Sequence, residues 1–126
     1  ENRLFASKYK KFLIRIMTET STGQDKLKGL LPPDCTVGHK TGSSDRTSTG
    51  VKIADNDAGF VLTPDGKRYY IAVFVSDSQE DDPTNASIIA RISAIVYDFM
   101  IRQTDPNRPP LCRPESVSAD DAAGIP

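Results

Sequence analysis

Seven consecutive residues, Tyr69-Tyr70-Ile71-Ala72-Val73-Phe74-Val75, carry no charge and no polar group beyond two phenols. Alternate side chains of a strand point to opposite sides, so a short run that is apolar at every position predicts a strand that needs cover on both faces. We therefore expect a central strand from Arg68 to Ser76, flanked by other strands and enclosed by helices. Just before it, Pro64-Asp65-Gly66-Lys67 joins a proline that presets one turn dihedral to a glycine open to positive φ, which predicts a tight hairpin. Its other arm is expected over Asp57 to Thr63, with Phe60-Val61-Leu62, and a further strand over Cys35 to Thr41. Ser43 to Asn56 then falls to a polar connection.

Helices are expected at both ends of these strands. Phe5, Tyr9, Phe12, Leu13, Ile16 and Met17 recur every three or four residues, which predicts a helix from Phe5 to Glu19 with one buried face. Thr20-Ser21-Thr22-Gly23 stops it, the glycine being able to take the left-handed conformation. A short turn runs from Gln24 to Leu31, and Pro32-Pro33-Asp34 sends the chain out extended because proline cannot continue a helix. After an acidic loop from Asp77 to Asp82, Asp82-Pro83 is expected to cap a second helix. Ile88, Ile89, Ile92, Ile95, Val96, Phe99 and Met100 form its apolar stripe, to about Gln103. Thr104 to Pro126 holds five of the nine prolines and little periodicity, and is expected to lie over the surface or stay irregular. The fold class is α+β, an antiparallel sheet with terminal helices: one unit over residues 1–103, then a Pro-rich tail over 104–126. A three-stranded sheet is thin, and its edges are expected to pair with strands from another segment.

Composition removes several functions. In 126 residues, 16 basic and 17 acidic side chains leave a net charge of −1, so the bulk charge points to neither nucleic acid nor an anionic membrane. There is no uninterrupted run of about 18 apolar residues, and Glu1-Asn2-Arg3-Leu4-Phe5 lacks the basic-then-apolar order of a secretory signal. One histidine, His39, is too few for a zinc hydrolase site, and no metal or cofactor is expected. Cys35 and Cys112 can form one disulfide or be two unrelated thiols, and their spacing does not decide.

The residues that carry chemistry are Lys40-Thr41-Gly42 at the end of a strand. With Ser43 they line one edge with an ammonium, a hydroxyl, a glycine without a side chain and a backbone donor. Lys40 can attract a carboxylate, Thr41 can hydrogen-bond it, Gly42 lets it approach, and the Ser43 N–H can stabilise an oxyanion. The plainer alternative for Lys40 is a solvated lysine. His39 is expected to project to the opposite sheet face and to pack or hydrogen-bond. Glu80-Asp81-Asp82 lacks the ligand spacing of a calcium loop and is expected to be solvated. Tyr69, Tyr70 and Phe74 are expected in the core.

Several motifs then agree in order. Thr22-Gly23, Leu27-Lys28-Gly29-Leu30-Leu31-Pro32, Gly38-His39-Lys40-Thr41-Gly42, Asn56-Asp57-Ala58-Gly59-Phe60-Val61-Leu62, Pro64-Asp65-Gly66 and Ile71-Ala72-Val73-Phe74-Val75 resemble the last third of class A serine β-lactamases. The similarity runs from Phe5 to about Gln103 and is closest to the branch with an H-K-T-G strand, known from Bacteroidetes and some other Gram-negative bacteria. It implies hydrolysis of a β-lactam amide through a serine acyl-enzyme in the periplasm or outside the cell, with no cofactor. It also implies that S-x-x-K, S-D-N and the general-base glutamate lie in an N-terminal part of the same enzyme that is missing here. Ser7-Lys8-Tyr9-Lys10 spells S-x-x-K but falls on the wrong helix. The isolated chain is thus expected to be inactive, and either to require that part or to self-associate through strand edges. Many members hold the substrate carboxylate with an arginine from the strand after K-T-G, and the matching position is read as Thr49. In the H-K-T-G branch an arginine two residues before K-G-L-L-P does this, and its match, Lys26, is expected as a second, monodentate anchor. Two other readings stay open, a penicillin-binding transpeptidase segment and a non-catalytic binding module of the same fold.

Overall fold

The structure, a computed structural model, describes residues 6–103, 105–107 and 109–111. Its elements run α1 (Ser7–Thr18), β1 (Thr36–Ser43), β2 (Lys52–Leu62), β3 (Arg68–Ser78) and α2 (Asp82–Arg102). The three strands form one antiparallel sheet in the order β1-β2-β3, so the α+β class and the sequential topology are as expected. The start of the first expected helix at Phe5, most of the Pro-rich tail and Cys112 lie outside the described residues.

Local chemistry explains the punctuation. Gly23 and Gly66 both hold positive φ, at 63° and 83°, where a Cβ would strain the backbone. The β2–β3 hairpin closes with the Thr63 N–H donating to the Lys67 carbonyl and the Gly66 N–H to the Thr63 carbonyl. The α2 cap is Asp81, one residue before the expected Asp82: its carboxylate accepts the Thr84 N–H at 2.8 Å, with Pro83 in the first turn. β2 starts five residues earlier than expected. Lys52 to Asn56 read as loop because they are mostly polar, yet Lys52, Ala54, Asp55 and Asn56 pair with Ser78, Ser76, Val75 and Phe74.

The core lies on one side of the sheet. Val37, Val61, Tyr69 and Val73 face α2, whose Ile89, Tyr97 and Ile101 close over them together with Leu27, Leu31 and Cys35. Each fully buried aliphatic side chain contributes about 1.5–3 kcal/mol. The buried face of α2 shares only Ile89 with the expected stripe, of which Val96 and Met100 also pack partly buried against the core. It consists of Asn85, Ala86, Ile89, Ala90, Ser93, Ala94, Tyr97 and Ile101, because small residues let the helix backbone approach the sheet. Ile88, Ile92, Ile95 and Phe99 face outward. By length and composition α2 also matches a membrane-crossing helix, but here it lies along the sheet through those eight residues.

The other side is sparsely covered. α1 packs against β1, yet none of its residues is buried, and Tyr9, Phe12, Leu13 and Ile16 are exposed. Among the described residues β3 has a neighbour on one side only, β2, and its second face carries Tyr70 at 77% and Phe74 at 73% exposure. Of the three aromatics assigned to the core, only Tyr69 is there. The periodicities are as read; what differs is that nothing among the described residues covers those faces.

Candidate active-site edge

β1 is the outer strand of the sheet, and its burial changes halfway along. Val37, Gly38 and His39 are buried, while Lys40, Gly42 and Ser43 are exposed. The register places Lys40 opposite Ala58, Thr41 opposite Asp57, Gly42 opposite Asn56 and Ser43 opposite Asp55. The Ser44 N–H donates to the Ala54 carbonyl at 2.9 Å. Inward and outward hydrogen bonds alternate along an antiparallel ladder, so the N–H groups of Thr41 and Ser43 point away from β2, along the outer edge. The Lys40 ammonium curls onto the Thr41 carbonyl at 2.5 Å, which brings the cation to the same edge. Ammonium, glycine and outward donor therefore share one exposed strip.

The stem of Lys40 lines a cleft of roughly 490 Å³ between α1 and the sheet. Its wall is Leu13, Ile14, Met17, Phe60 and Tyr70, with Lys10 and Arg68 as the other cations. The two faces of β1 are thus different environments. Opposite Lys40, His39 is 1% exposed and its Nδ1–H donates to the Asp57 carboxylate at 2.9 Å. The hydrogen-bonding role expected for it is what the structure has. The hydroxyl of Thr41 lies 3.5 Å from that of Thr22.

Lys26, expected as a second substrate anchor, and Thr49, read as the position matching the relatives' arginine, both lie away from the K-T-G edge. Lys26 is 9% exposed, and its ammonium is paired with Asp55 at 2.5 Å on the face away from Lys40. A lysine so buried must keep its counter-ion, so it is neither a solvated lysine nor an anchor presented beside Lys40. Thr49 is in the β1–β2 connection, exposed, with its hydroxyl 2.9 Å from that of Thr47. The residue of the following strand that faces K-T-G is Asn56, across from Gly42, and its side-chain oxygen accepts the Val75 N–H. The β1–β2 connection carries Thr49 away from that edge, and the strand register puts Asn56 there.

The rest of the chemistry is accounted for locally. Ser7 and Lys10 lie on exposed turns of α1, so their S-x-x-K spacing makes no buried pair. The acidic run has structural partners. Asp81 caps α2, and Asp82 is bridged by Arg46 at 2.6 Å, with Lys52 at 3.5 Å. The Arg46 hydrogen bond holds the Asp82 carboxyl below its usual range, and the Thr84 hydrogen bond does the same for Asp81. Burial pushes the Tyr69 phenol well above its usual range, with Cys35 and Tyr97 adding to it. Among the described residues no group of acidic, histidine and cysteine side chains could hold a metal.

An antiparallel sheet whose outer strand presents K-T-G beneath a helix defines an α+β unit with an open, cationic strand edge. Residues 1–100 match the model of the Beta-lactamase enzyme family, and the chain belongs to that family, in class A. A β-lactamase of Bacteroides uniformis is 60% identical over 101 residues, 79% of this chain and 34% of its own length. The extended-spectrum β-lactamase PER-1 of Pseudomonas aeruginosa is 46% identical over 87 residues, 69% of this chain and 28% of its own. A crystal structure of a class A β-lactamase from Bacteroides cellulosilyticus superposes with a TM-score of 0.74 at 69% identity, covering 76% of this chain and 35% of that one. The TLA-1 extended-spectrum β-lactamase superposes at 0.77 with 44% identity, covering 79% and 36%. This chain therefore spans about a third of the length of the relatives it matches.

Proposed function

We propose that this chain forms the substrate-carboxylate and oxyanion wall of a serine β-lactamase that works in the periplasm or outside the cell. The observation that carries the reading is the shared outer edge of β1, where the Lys40 ammonium and the outward Ser43 N–H stand side by side. In this reading Lys40 attracts the substrate carboxylate and Thr41 hydrogen-bonds it. Gly42 leaves the strand open to the ligand, and the Ser43 N–H faces the charge that develops on the lactam oxygen as the amide is attacked. The attacking serine, its lysine and the water-activating glutamate come from the remaining two thirds of the family's length. That part also covers the apolar faces of α1, β3 and α2, and the chain alone is inactive.

Hydrolysis of the chromogenic cephalosporin nitrocefin tests this, with the chain alone and after refolding with the N-terminal part. Turnover only in the mixture is the expected result. Turnover by the chain alone would refute the missing nucleophile. Silence in both would leave a binding module of the same fold.

A further inference from the structure

Behind the K-T-G edge lie four ionisable side chains that the proposed reaction does not touch: Lys26, His39, Asp55 and Asp57, none more than 9% exposed. Groups of this kind are costly to bury unless each is paired. They pair two and two. Lys26 is bound to Asp55, and Asp57 accepts both the His39 Nδ1–H at 2.9 Å and the Leu27 N–H at 3.1 Å. Asp55 and Asp57 lie two apart on β2 and so share a face. Lys26 and Leu27 are consecutive, so the turn before β1 is held on that face at two adjacent points. The Leu27 carbonyl in turn accepts the Ser93 hydroxyl of α2 at 2.7 Å. Asp57 is thereby the point where β1, β2 and the turn meet, with α2 one residue away.

His39 is also the last buried side chain of β1 before its exposed half. Across from it stands Gly59, where a Cβ would come within 2.8 Å of the His39 Cα, so β1 is drawn close to β2 at this point. A matched apolar pair would hold the strands at similar energy, but without direction. A hydrogen bond to a carboxylate already fixed by Leu27 sets the rotation of the strand at His39, and therefore the direction in which Lys40 leaves the opposite face.

We propose that His39 and Asp57 are positioning residues for the K-T-G strand: their buried hydrogen bond sets the attitude of β1 from which Lys40 and the Ser43 N–H are presented. This rests on the reading of that edge as a substrate wall. The test uses the full-length protein that carries this chain, as wild type, His39→Leu and His39→Asn, the last keeping an N–H donor near the position of Nδ1. Three quantities are read: amide hydrogen exchange along the strands, kcat and KM for nitrocefin, and Tm. Leaving a buried acceptor short of its donor is expected to speed exchange at residues 40–43 and raise KM by about tenfold or more in His39→Leu. His39→Asn is expected to restore both to within about threefold of wild type while its Tm stays below wild type, since the smaller amide leaves a cavity. Equal exchange and equal KM in the two variants would overturn the proposal, as would exchange that rises uniformly over all three strands. If the wild type does not turn over nitrocefin, the wall reading fails and the exchange comparison alone decides the positioning role. If His39→Leu does not fold, the imidazole ¹⁵N spectrum decides, its signals assigned by their loss in His39→Asn. A slowly exchanging proton on Nδ1 supports the proposal, and the Nε2–H tautomer overturns it.

Discussion

Gly59 and Lys40 are the two single residues whose roles can be argued most closely. A Cβ at position 59 would lie 2.1 Å from the Gly38 carbonyl oxygen, which is backbone and cannot swing aside. Gly59→Ala must push β1 off β2, and we expect a loss of about 1–3 kcal/mol in urea unfolding. Lys40 carries the proposed wall, so Lys40→Ala is expected to lose about 2 kcal/mol of transition-state binding, roughly thirtyfold in kcat/KM, with little change in Tm. A Lys26→Met change separates the two lysines. It leaves Asp55 buried without its cation, so it is expected to lower Tm, by unfolding scans, far more than Lys40→Ala does. The K-T-G edge and the orientation of His39 were legible in the sequence because strand alternation needs no partner to be read. The pairing of Lys26 was not, because a lone lysine carries no mark of which carboxylate it will meet.

At the scale of elements, the N-terminus of α2 is where charge and secondary structure combine. Asp81 caps the helix, and Asp82 joins it through Arg46 to the β1–β2 connection, where Arg46 also donates to the Gly50 carbonyl. Replacing Asp81 by Ala is expected to lower the midpoints of thermal and urea unfolding, because the Thr84 N–H loses its cap. Both carboxyls are held below their usual range when folded. Their contribution is therefore complete above the ordinary carboxylate pKa of about 3.9 and is lost as pH falls through the lower folded value. The difference in urea midpoint between wild type and Asp82→Asn should accordingly be largest above about pH 4 and close on further acidification. These ends were only half legible. Asp82-Pro83 marked the start of α2 to within one residue, but the partner of Asp82 lies 36 positions earlier on a loop with no periodic signal. For α2 itself, periodicity favours the most apolar stripe, whereas close packing on the sheet selects the face of Ala86, Ile89, Ala90, Ser93 and Ala94.

Across the whole molecule, apolar surface is divided between a closed core and three open faces. The core lies between α2 and the odd-numbered residues of β3, while Phe12, Leu13, Tyr70, Phe74, Ile95 and Phe99 face outward on three elements. Patches of this kind mark interaction surfaces, and β3 adds an edge of backbone groups with no neighbouring strand among the described residues. The isolated chain is expected to associate in a concentration-dependent way on size-exclusion chromatography. It should elute as a one-to-one complex once refolded with the N-terminal part. A compact monomer at all concentrations would show that these faces need no cover. The sequence by itself determined the order of elements, the hairpin, the K-T-G edge and which residues share a face, because dihedral preferences and periodicity are local. Only the tertiary structure decided that α2 buries its small residues, that Tyr70 and Phe74 stay exposed, and that Lys26 pairs with Asp55 and His39 with Asp57. Those outcomes depend on what each face meets, and distances across a fold are not written in any local pattern.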